Sequence, residues 1–290
     1  MYNDPMNTFA FITVVTLIAG AGGTGLGGII GALFKTESSR TASLLLALAG
    51  GIMTAVVCLD LMTEAVEAAL EITPHASLLV SAAVAVGVAV VYGLNHIIDK
   101  RTAKEVAHTA KADHPQTHDD LDELIHADHL AEHRRNADSR ASLYVAGIVM
   151  AAAIALHNVP EGMTIGASFA VSDNLLWGSG MVMAILIGLH NIPEGMAVAV
   201  PLISGGMSRV RAIIVSAVCA LPTVLGAWLG WWLGDIGPLG LTCSLGFASG
   251  AMLYVVFGEI LPQAILMHRS KLPTFFVILG ILIGLVIIYY

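Results

Sequence analysis

The chain of 290 residues is 57% hydrophobic and 12% charged, with a formal net charge of −8 and a mean hydropathy of +0.82. So apolar a composition excludes a soluble protein of this length and indicates a membrane protein. The three cysteines, Cys58, Cys219 and Cys243, lie in apolar runs without CxxC spacing. Neither a disulfide framework nor a thiolate metal site is therefore expected, and no nucleic-acid partner is expected either.

Eight apolar runs approach the ~20 residues that a spanning helix needs. They cover residues 9–34, 42–69, 77–98, 142–171, 175–203, 212–234, 240–267 and 273–290. We therefore predict an all-α membrane protein of eight transmembrane helices in a 3+2+3 arrangement, with helices 4 and 5 as a central antiparallel pair. Residues 1–8 lack the positive flank of a secretory signal, so the first run is expected to remain as a span.

The basic residues predict the orientation of these helices. All thirteen Lys and Arg fall between predicted helices 1 and 2, 3 and 4, 5 and 6, or 7 and 8, and therefore on one side of the membrane. Positive residues favour the cytoplasmic side, so both termini are predicted to lie outside. The expected location is the cell membrane, with a bacterial inner membrane as the setting.

This pattern divides the chain into three parts. Residues 1–98 hold helices 1 to 3, residues 99–141 form a loop, and residues 142–290 hold helices 4 to 8. The loop contains ten acidic residues, seven basic residues and six histidines within residues 99–140, so we predict a mostly disordered cytoplasmic segment. Transient metal binding by its histidines and a plain solvated linker remain open alternatives.

Predicted helix 1 is rich in glycine, and Gly23, Gly25 and Gly28 formally satisfy a GxGxxG dinucleotide fingerprint. No strand–helix unit surrounds them, and close helix packing explains small residues in a membrane helix. Predicted helix 2 carries Asp60 and Glu64 one turn apart toward its outer end. They suit a cation-attracting mouth, although acidic residues there could also simply reach the outer interface.

One phrase occurs twice in the chain. Residues 156–163 read Leu-His-Asn-Val-Pro-Glu-Gly-Met and residues 189–196 read Leu-His-Asn-Ile-Pro-Glu-Gly-Met, so seven of eight positions match. In each copy the His and the Glu are four residues apart and share one face of a helix. The Gly after each Glu lets another backbone come close at that point.

The two copies lie on helices 4 and 5, which a short outer turn joins. The helices therefore run antiparallel, which predicts a site on a pseudo-twofold axis in the membrane plane. We expect His157 and Glu161 to face His190 and Glu194 across one cavity. Burying such groups for structure alone would be costly, and two nitrogens with two carboxylates favour zinc or a neighbouring first-row divalent ion over calcium or magnesium.

Three further positions complete this interpretation. Asn158 and Asn191 could complete the ligand shell or hold a second ion beside the first. Leu221 and Pro222 predict a kink in helix 6 without a charged group. Glu259, toward the inner end of helix 7, could be an exit station for the ion, or an interfacial residue near the cytoplasm.

These residues resemble the ZIP (Zrt/Irt-like protein) family of divalent metal transporters, and most of all its bacterial GufA-like and ZupT-like members. The resemblance covers nearly the whole chain. It is carried above all by the paired HNVPEG and HNIPEG motifs, and further by Asp-Leu-Met-Thr-Glu-Ala on helix 2 and Gly-Ala-Met-Leu-Tyr-Val-Val-Phe-Gly-Glu-Ile-Leu-Pro on helix 7. It implies import of zinc, and often of iron, manganese, cobalt or cadmium, into the cytoplasm.

The resemblance also implies which residues hold the metal. They are the matching positions of the two motifs: His157, Asn158, Glu161, His190, Asn191 and Glu194. Many family members carry a Glu before the helix-6 proline to help hold a second ion, whereas this chain has Leu221 there. That departure counts against a tight two-metal centre.

We therefore expect a transporter that passes a divalent ion from Asp60 and Glu64 through the central site to Glu259, with no resident cofactor. The alternative is a membrane-embedded zinc metalloenzyme, for which the sequence offers no HExxH helix and no evident open position for water. A structural or sensory membrane protein is a third reading. The sequence leaves the oligomeric state open, a homodimer included.

Overall fold

The computed structural model of the protein describes residues 5–33, 39–102, 139–172, 174–268 and 270–289. Every regular element in these ranges is a helix, as predicted. Most of the predicted His-rich loop, residues 103–138, lies outside the described residues. The helices on either side of that gap extend to Thr102 and begin at Ser139, within the loop boundaries of 99 and 141 that the sequence predicted.

Twelve α-helices are described. They are α1 (Pro5–Leu17), α2 (Gly23–Leu33), α3 (Ser39–Ala55), α4 (Met62–Leu70), α5 (Ala76–Thr102), α6 (Ser139–Ala170), α7 (Ser179–Ser204), α8 (Arg209–Cys219), α9 (Pro222–Ile236), α10 (Pro238–Val255), α11 (Leu261–Met267) and α12 (Leu272–Tyr289). Short π-helical segments at Ile18–Gly22, Val56–Leu61 and Val256–Ile260 join α1 to α2, α3 to α4 and α10 to α11.

Seven helical stretches of the described residues are long and apolar enough to cross a membrane. They are Thr8–Leu33, Ser43–Leu70, Ala76–Ile97, Ser179–Ser204, Arg209–Ile236, Pro238–Ile260 and Leu272–Tyr289. The chain is therefore a multi-pass membrane protein. The predicted fourth span coincides with α6, whose 32 residues give a length of roughly 48 Å at 1.5 Å per residue.

The predicted kink in helix 6 is a break between two helices. Helix α8 ends at Cys219, and α9 begins at Pro222. Proline has no backbone N–H to continue a helix but fits the first position of a new one, which explains why the break falls there. In contrast, α6 and α7 continue through Pro160 and Pro193, the prolines of the repeated phrase.

The glycines of the repeated phrase bring backbones together, as the sequence predicted. A Cβ atom added at Gly162 would overlap the Thr223 carbonyl group of α9, and one added at Gly195 would overlap the Thr24 carbonyl group of α2. Only glycine allows these approaches. Helix α6 therefore packs closely on α9, and α7 packs closely on the glycine-rich α2.

Burial separates inner helices from outer ones. In the stretches Ser179–Ser204 and Pro238–Ile260, two thirds of the most apolar 18-residue segment is buried inside the protein. In Ala76–Ile97 and Leu272–Tyr289 the buried share of that segment is 17%. Helices α7 and α10 therefore lie in the centre, while α5 packs on α10 and α12 packs on α3 at the periphery. Helices α6 and α7, which carry the two phrases, pack against each other within this arrangement.

Candidate metal centre

Three ionisable side chains converge between α6 and α7. Glu161, His190 and Glu194 each offer one ligand atom, and these atoms all lie within 4.8 Å of one another. The three residues are 0%, 1% and 2% exposed. Carboxylates this deeply buried are costly without a compensating charge, so the geometry is that of a site for a positive ion.

One contact across the helix pair is direct. His190 Nε2 of α7 lies 3.1 Å from Glu161 Oε1 of α6. The second oxygens of Glu161 and Glu194 are buried and have no hydrogen-bond partner among the described residues. Buried polar atoms without partners are uncommon in native proteins, and at least one of these oxygens could instead bind a cation.

His157, the fourth residue predicted at this site, takes a different partner. It is 4% exposed, and its Nε2 lies 3.3 Å from Glu259 Oε1 in the π-helical segment before α11, without forming a hydrogen bond to any described residue. The side-chain amide of Asn95, on α5, donates a hydrogen bond to the same Glu259 oxygen. The structure therefore brings three of the four predicted residues together and links the fourth to Glu259.

The two asparagines of the phrase mainly bind neighbouring helices. Asn158 Oδ1 accepts a hydrogen bond from the Thr223 hydroxyl at 2.8 Å, and Asn158 Nδ2 donates to the Ile154 carbonyl at 2.8 Å. Asn191 Nδ2 donates to the Ala19 carbonyl at 3.2 Å. Of the two amide oxygens, only that of Asn191 is buried without a hydrogen-bond partner in the described part of the chain.

Leu221 precedes Pro222 at the break between α8 and α9, and it is 46% exposed. Its hydrocarbon side chain offers no ligand atom. Asn158 Oδ1 already accepts the Thr223 hydroxyl, whereas Asn191 Oδ1 has no hydrogen-bond partner among the described residues. The role of the two asparagines in holding a second ion stays a prediction.

The acidic residues of predicted helix 2 lie away from this cluster in sequence and differ in burial. Asp60 lies in the π-helical segment Val56–Leu61, and Glu64 lies in α4. Both are half-buried, and one oxygen of Glu64 is buried without a hydrogen-bond partner among the described residues. Glu67 is exposed, which fits a residue at the outer interface.

The sequence interpretation gave no role to Asn95 or Thr223. Asn95 lies toward the end of a long apolar helix, and its partner Glu259 is 164 residues away in the chain. Thr223 is also distant from its partner Asn158, by 65 residues. The sequence feature that could have indicated these contacts is an asparagine in the interior of a predicted membrane helix, because a buried side-chain amide needs a hydrogen-bond partner.

The geometry so far defines a class, namely a multi-pass helical membrane protein with a His and carboxylate cluster at its centre. The sequence model of the ZIP Zinc transporter family matches residues 8–289. The chain therefore belongs to the ZIP family, which confirms the resemblance seen in its motifs.

Individual relatives agree with this assignment. The chain is 30% identical to zinc transporter ZupT of Akkermansia muciniphila over 96% of both chains. It is 36% identical to human zinc transporter ZIP11 over 45% of this chain and 39% of that protein. It is 37% identical to zinc transporter ZIPB of Bordetella bronchiseptica over 42% of this chain and 37% of that protein.

Proposed function

We propose that this chain imports zinc, and also other divalent ions such as iron, manganese, cobalt or cadmium, into the cytoplasm. Membership of the ZIP family and relatives named as zinc transporters support this function. The structural observation that carries it is the convergence of Glu161, His190 and Glu194 within 4.8 Å at the centre of the helices.

The ligand chemistry suits a first-row divalent ion. One imidazole nitrogen and two carboxylates form the described cluster, and such mixed nitrogen and oxygen ligands are typical of zinc rather than of calcium or magnesium. The ion exchanges its water shell for these side chains. The two negative carboxylates and the divalent cation also neutralise each other. This lowers the free-energy cost of burying the carboxylates and the ion in a low-dielectric environment.

In this proposal the ion enters from the outside past Asp60 and Glu64, which are half-buried on the second span. It then binds Glu161, His190 and Glu194, and it leaves toward Glu259. His157 links the last two stations, since its ring nitrogen lies 3.3 Å from Glu259 and it shares a helix face with Glu161. Asn191 is a candidate neutral ligand, and Asn158 serves mainly to hold α6 against α9.

The direction of transport rests on the membrane topology. We propose that α6 is the eighth span beside the seven apolar stretches, that both termini lie outside, and that the helices follow a 3+2+3 arrangement around α6 and α7. The segment from 99 to 141 is then cytoplasmic. The placement of all thirteen Lys and Arg in alternate connections supports this orientation.

Transport into sealed liposomes tests the function. We expect purified protein to accumulate zinc inside the vesicles without any added organic substrate, and Glu194→Ala to abolish that accumulation. Glu67→Ala is the matched control, because it removes an exposed acidic residue and should leave uptake unchanged. Absence of zinc accumulation by the unaltered chain would contradict the proposal.

The same experiment addresses the alternative of a membrane-embedded zinc metalloenzyme. The comparisons do not favour it, because the matching relatives are named as transporters. An enzyme would hold its zinc and would move none across the bilayer. Zinc that stays bound to the protein in a one-to-one ratio, without accumulation in the vesicles, would support the enzyme instead.

A further inference from the structure

The first span contacts the repeated phrase through its π-helical segment, Ile18–Gly22. In a regular α-helix the carbonyl of Ala19 would accept the N–H of Gly23, four residues on. That N–H instead bonds to the carbonyls of the residues three and five positions before it. The carbonyl of Ala19 therefore lacks its α-helical donor, and it accepts a hydrogen bond from Asn191 Nδ2 at 3.2 Å.

This contact fixes the orientation of the Asn191 side-chain amide. A backbone carbonyl has no proton to donate, so only the amide nitrogen of Asn191 can face Ala19, and the amide oxygen lies on the other side. Asn191 is 0% exposed. Its Oδ1 is buried without a hydrogen-bond partner among the described residues. The amide oxygen is therefore an acceptor of defined orientation whose bonding capacity is unused.

Glu194 is a neighbour of Asn191 on α7, because residues three apart share one side of a helix. One oxygen of Glu194 is likewise buried without a hydrogen-bond partner in the described part of the chain. An amide oxygen and a carboxylate oxygen are both acceptors, so neither can satisfy the other. A cation at the cluster of Glu161, His190 and Glu194 can bind both.

The other asparagine of the repeated phrase meets the same segment indirectly. Asn158 Oδ1 lies 2.8 Å from the Thr223 hydroxyl, and a Cβ atom added at Gly20 would lie 2.8 Å from that hydroxyl oxygen. The segment thus contacts Thr223 through Gly20 and Asn191 through Ala19. Equivalent positions of the two phrases therefore differ, since the amide oxygen of Asn158 is engaged and that of Asn191 is not.

We propose that the π-helical segment Ile18–Gly22 is a positioning element for Asn191, whose amide it turns so that Oδ1 serves as a neutral ligand of the transported ion. The inference rests on the proposed function of the central cluster. Short π-helical turns within α-helices are frequent at functional sites. The first span thereby contributes to the metal centre through its backbone, although none of its side chains is among the predicted ligands.

Zinc affinity of the purified full-length chain in detergent tests the positioning, with Zn²⁺ itself as the probe and a competing chelator to set its free concentration. Gly23→Ala adds a methyl group 2.9 Å from Asn191 Cβ and 2.7 Å from the Gly188 carbonyl oxygen, so it displaces Asn191 from Ala19. The Kd for zinc should rise by roughly three- to tenfold, as expected when one polar contact is lost.

Gly22→Ala is the matched control, because its added Cβ comes no closer than 3.9 Å to a neighbouring atom. The Kd of this variant should stay within about twofold of the unaltered chain. A spectroscopic readout separates positioning from packing. The visible spectrum of bound Co²⁺ changes with the number and geometry of its ligands, so Gly23→Ala should alter that spectrum and Gly22→Ala should not.

Asn191→Leu removes the amide oxygen but keeps a side chain of similar size. It should raise the Kd for zinc at least about tenfold. Addition of Gly23→Ala to Asn191→Leu should raise the Kd no further, because the ligand that it displaces is already absent. An unchanged Kd in Asn191→Leu overturns the proposal even if Gly23→Ala does not yield folded protein.

The outcomes separate the positioning from the transport function. Equal zinc Kd values in Gly23→Ala and Gly22→Ala, or full additivity in the double variant, overturn the positioning while zinc binding by the unaltered chain still stands. Failure of the unaltered chain to bind zinc overturns the proposed function as well. A raised Kd in Gly23→Ala and Asn191→Leu, an altered Co²⁺ spectrum and no further change in the double variant support the positioning.

Discussion

His190 Nε2 lies 3.1 Å from Glu161 Oε1, so the two copies of the repeated phrase touch through one residue of each. The contact crosses from α7 to α6, and both side chains are buried. An ion that binds there must break the contact between the His190 imidazole and the Glu161 carboxylate and form a bond to each of them. For zinc, bonds to such ligand atoms are about 2.0–2.2 Å long. Both residues then contribute to the same site although they belong to different helices.

Loss of either residue should therefore reduce transport strongly. We expect His190→Ala and Glu161→Gln each to lower zinc uptake into liposomes at least roughly tenfold, since even residues that only orient a metal ligand commonly contribute ~10–100-fold. Initial rates at several zinc concentrations measure the effect. Uptake within twofold of the unaltered chain in both variants would show that the contact is only structural.

The glycines that follow the two glutamates should be needed for stability. Gly162→Ala and Gly195→Ala each place a methyl group against a neighbouring backbone carbonyl, and overpacking of this kind costs about 1–3 kcal/mol. Thermal unfolding of the purified protein in detergent measures the loss. Gly93→Ala is the control, because a Cβ at that position meets no atom within 4 Å; equal stability of all three variants would contradict the prediction.

Zinc binding should weaken as the pH falls. Imidazole and carboxylate groups bind a metal in their unprotonated forms, so protons compete with zinc for His190, Glu161 and Glu194. Binding at constant pH should accordingly release protons to the buffer. Calorimetry in two buffers of different ionisation enthalpy measures that release, and a Kd that stays constant between pH 5.5 and 7.5, about the range in which free histidine titrates, would argue against these ligands.

Thr223 should stabilise the fold without binding the ion. Its hydroxyl lies 2.8 Å from Asn158 Oδ1 and 2.7 Å from the Ala220 carbonyl oxygen, and its single proton is shared between these two acceptors. Thr223→Val removes this donor from both buried acceptors, at a cost of about 1–3 kcal/mol. We expect a lower unfolding temperature with little change in zinc affinity. Thr63→Val is the comparison, because the exposed Thr63 hydroxyl donates to the Leu59 carbonyl, four residues earlier in the same span. A large loss of zinc affinity in Thr223→Val would instead place Asn158 among the ligands.

Much of the candidate metal centre could be predicted from the repeated phrase. A spacing of four residues places the His and Glu of each copy on one helix face, and the short connection between α6 and α7 makes the helices antiparallel. These two facts were enough to predict that Glu161, His190 and Glu194 lie close together. The same reasoning predicted the close backbone approach at Gly162 and Gly195, because both follow from local geometry.

The partner of His157 could not be predicted in this way. It lies near Glu259, which Asn95 also contacts, and the three residues come from three helical segments that are distant in sequence. Symmetry of the motif favoured Glu194 as the partner. The π-helical segments that hold Asp60 and Glu259 were likewise missed, since an added residue in a helical turn has no recognisable sequence pattern when tertiary packing stabilises it.

The close packing of α6 on α9 and of α7 on α2 has a mechanical consequence. Because α6 and α7 also contact each other, α2, α7, α6 and α9 are joined in one row, whereas α3 packs on α12 and α5 packs on α10. Glu161, His190 and Glu194 all lie on α6 and α7, while Asn95 lies on α5 and Glu259 lies in the segment that follows α10. A displacement of the row relative to α5 and α10 would leave the three ligands together and would change the distance between His157 and Glu259.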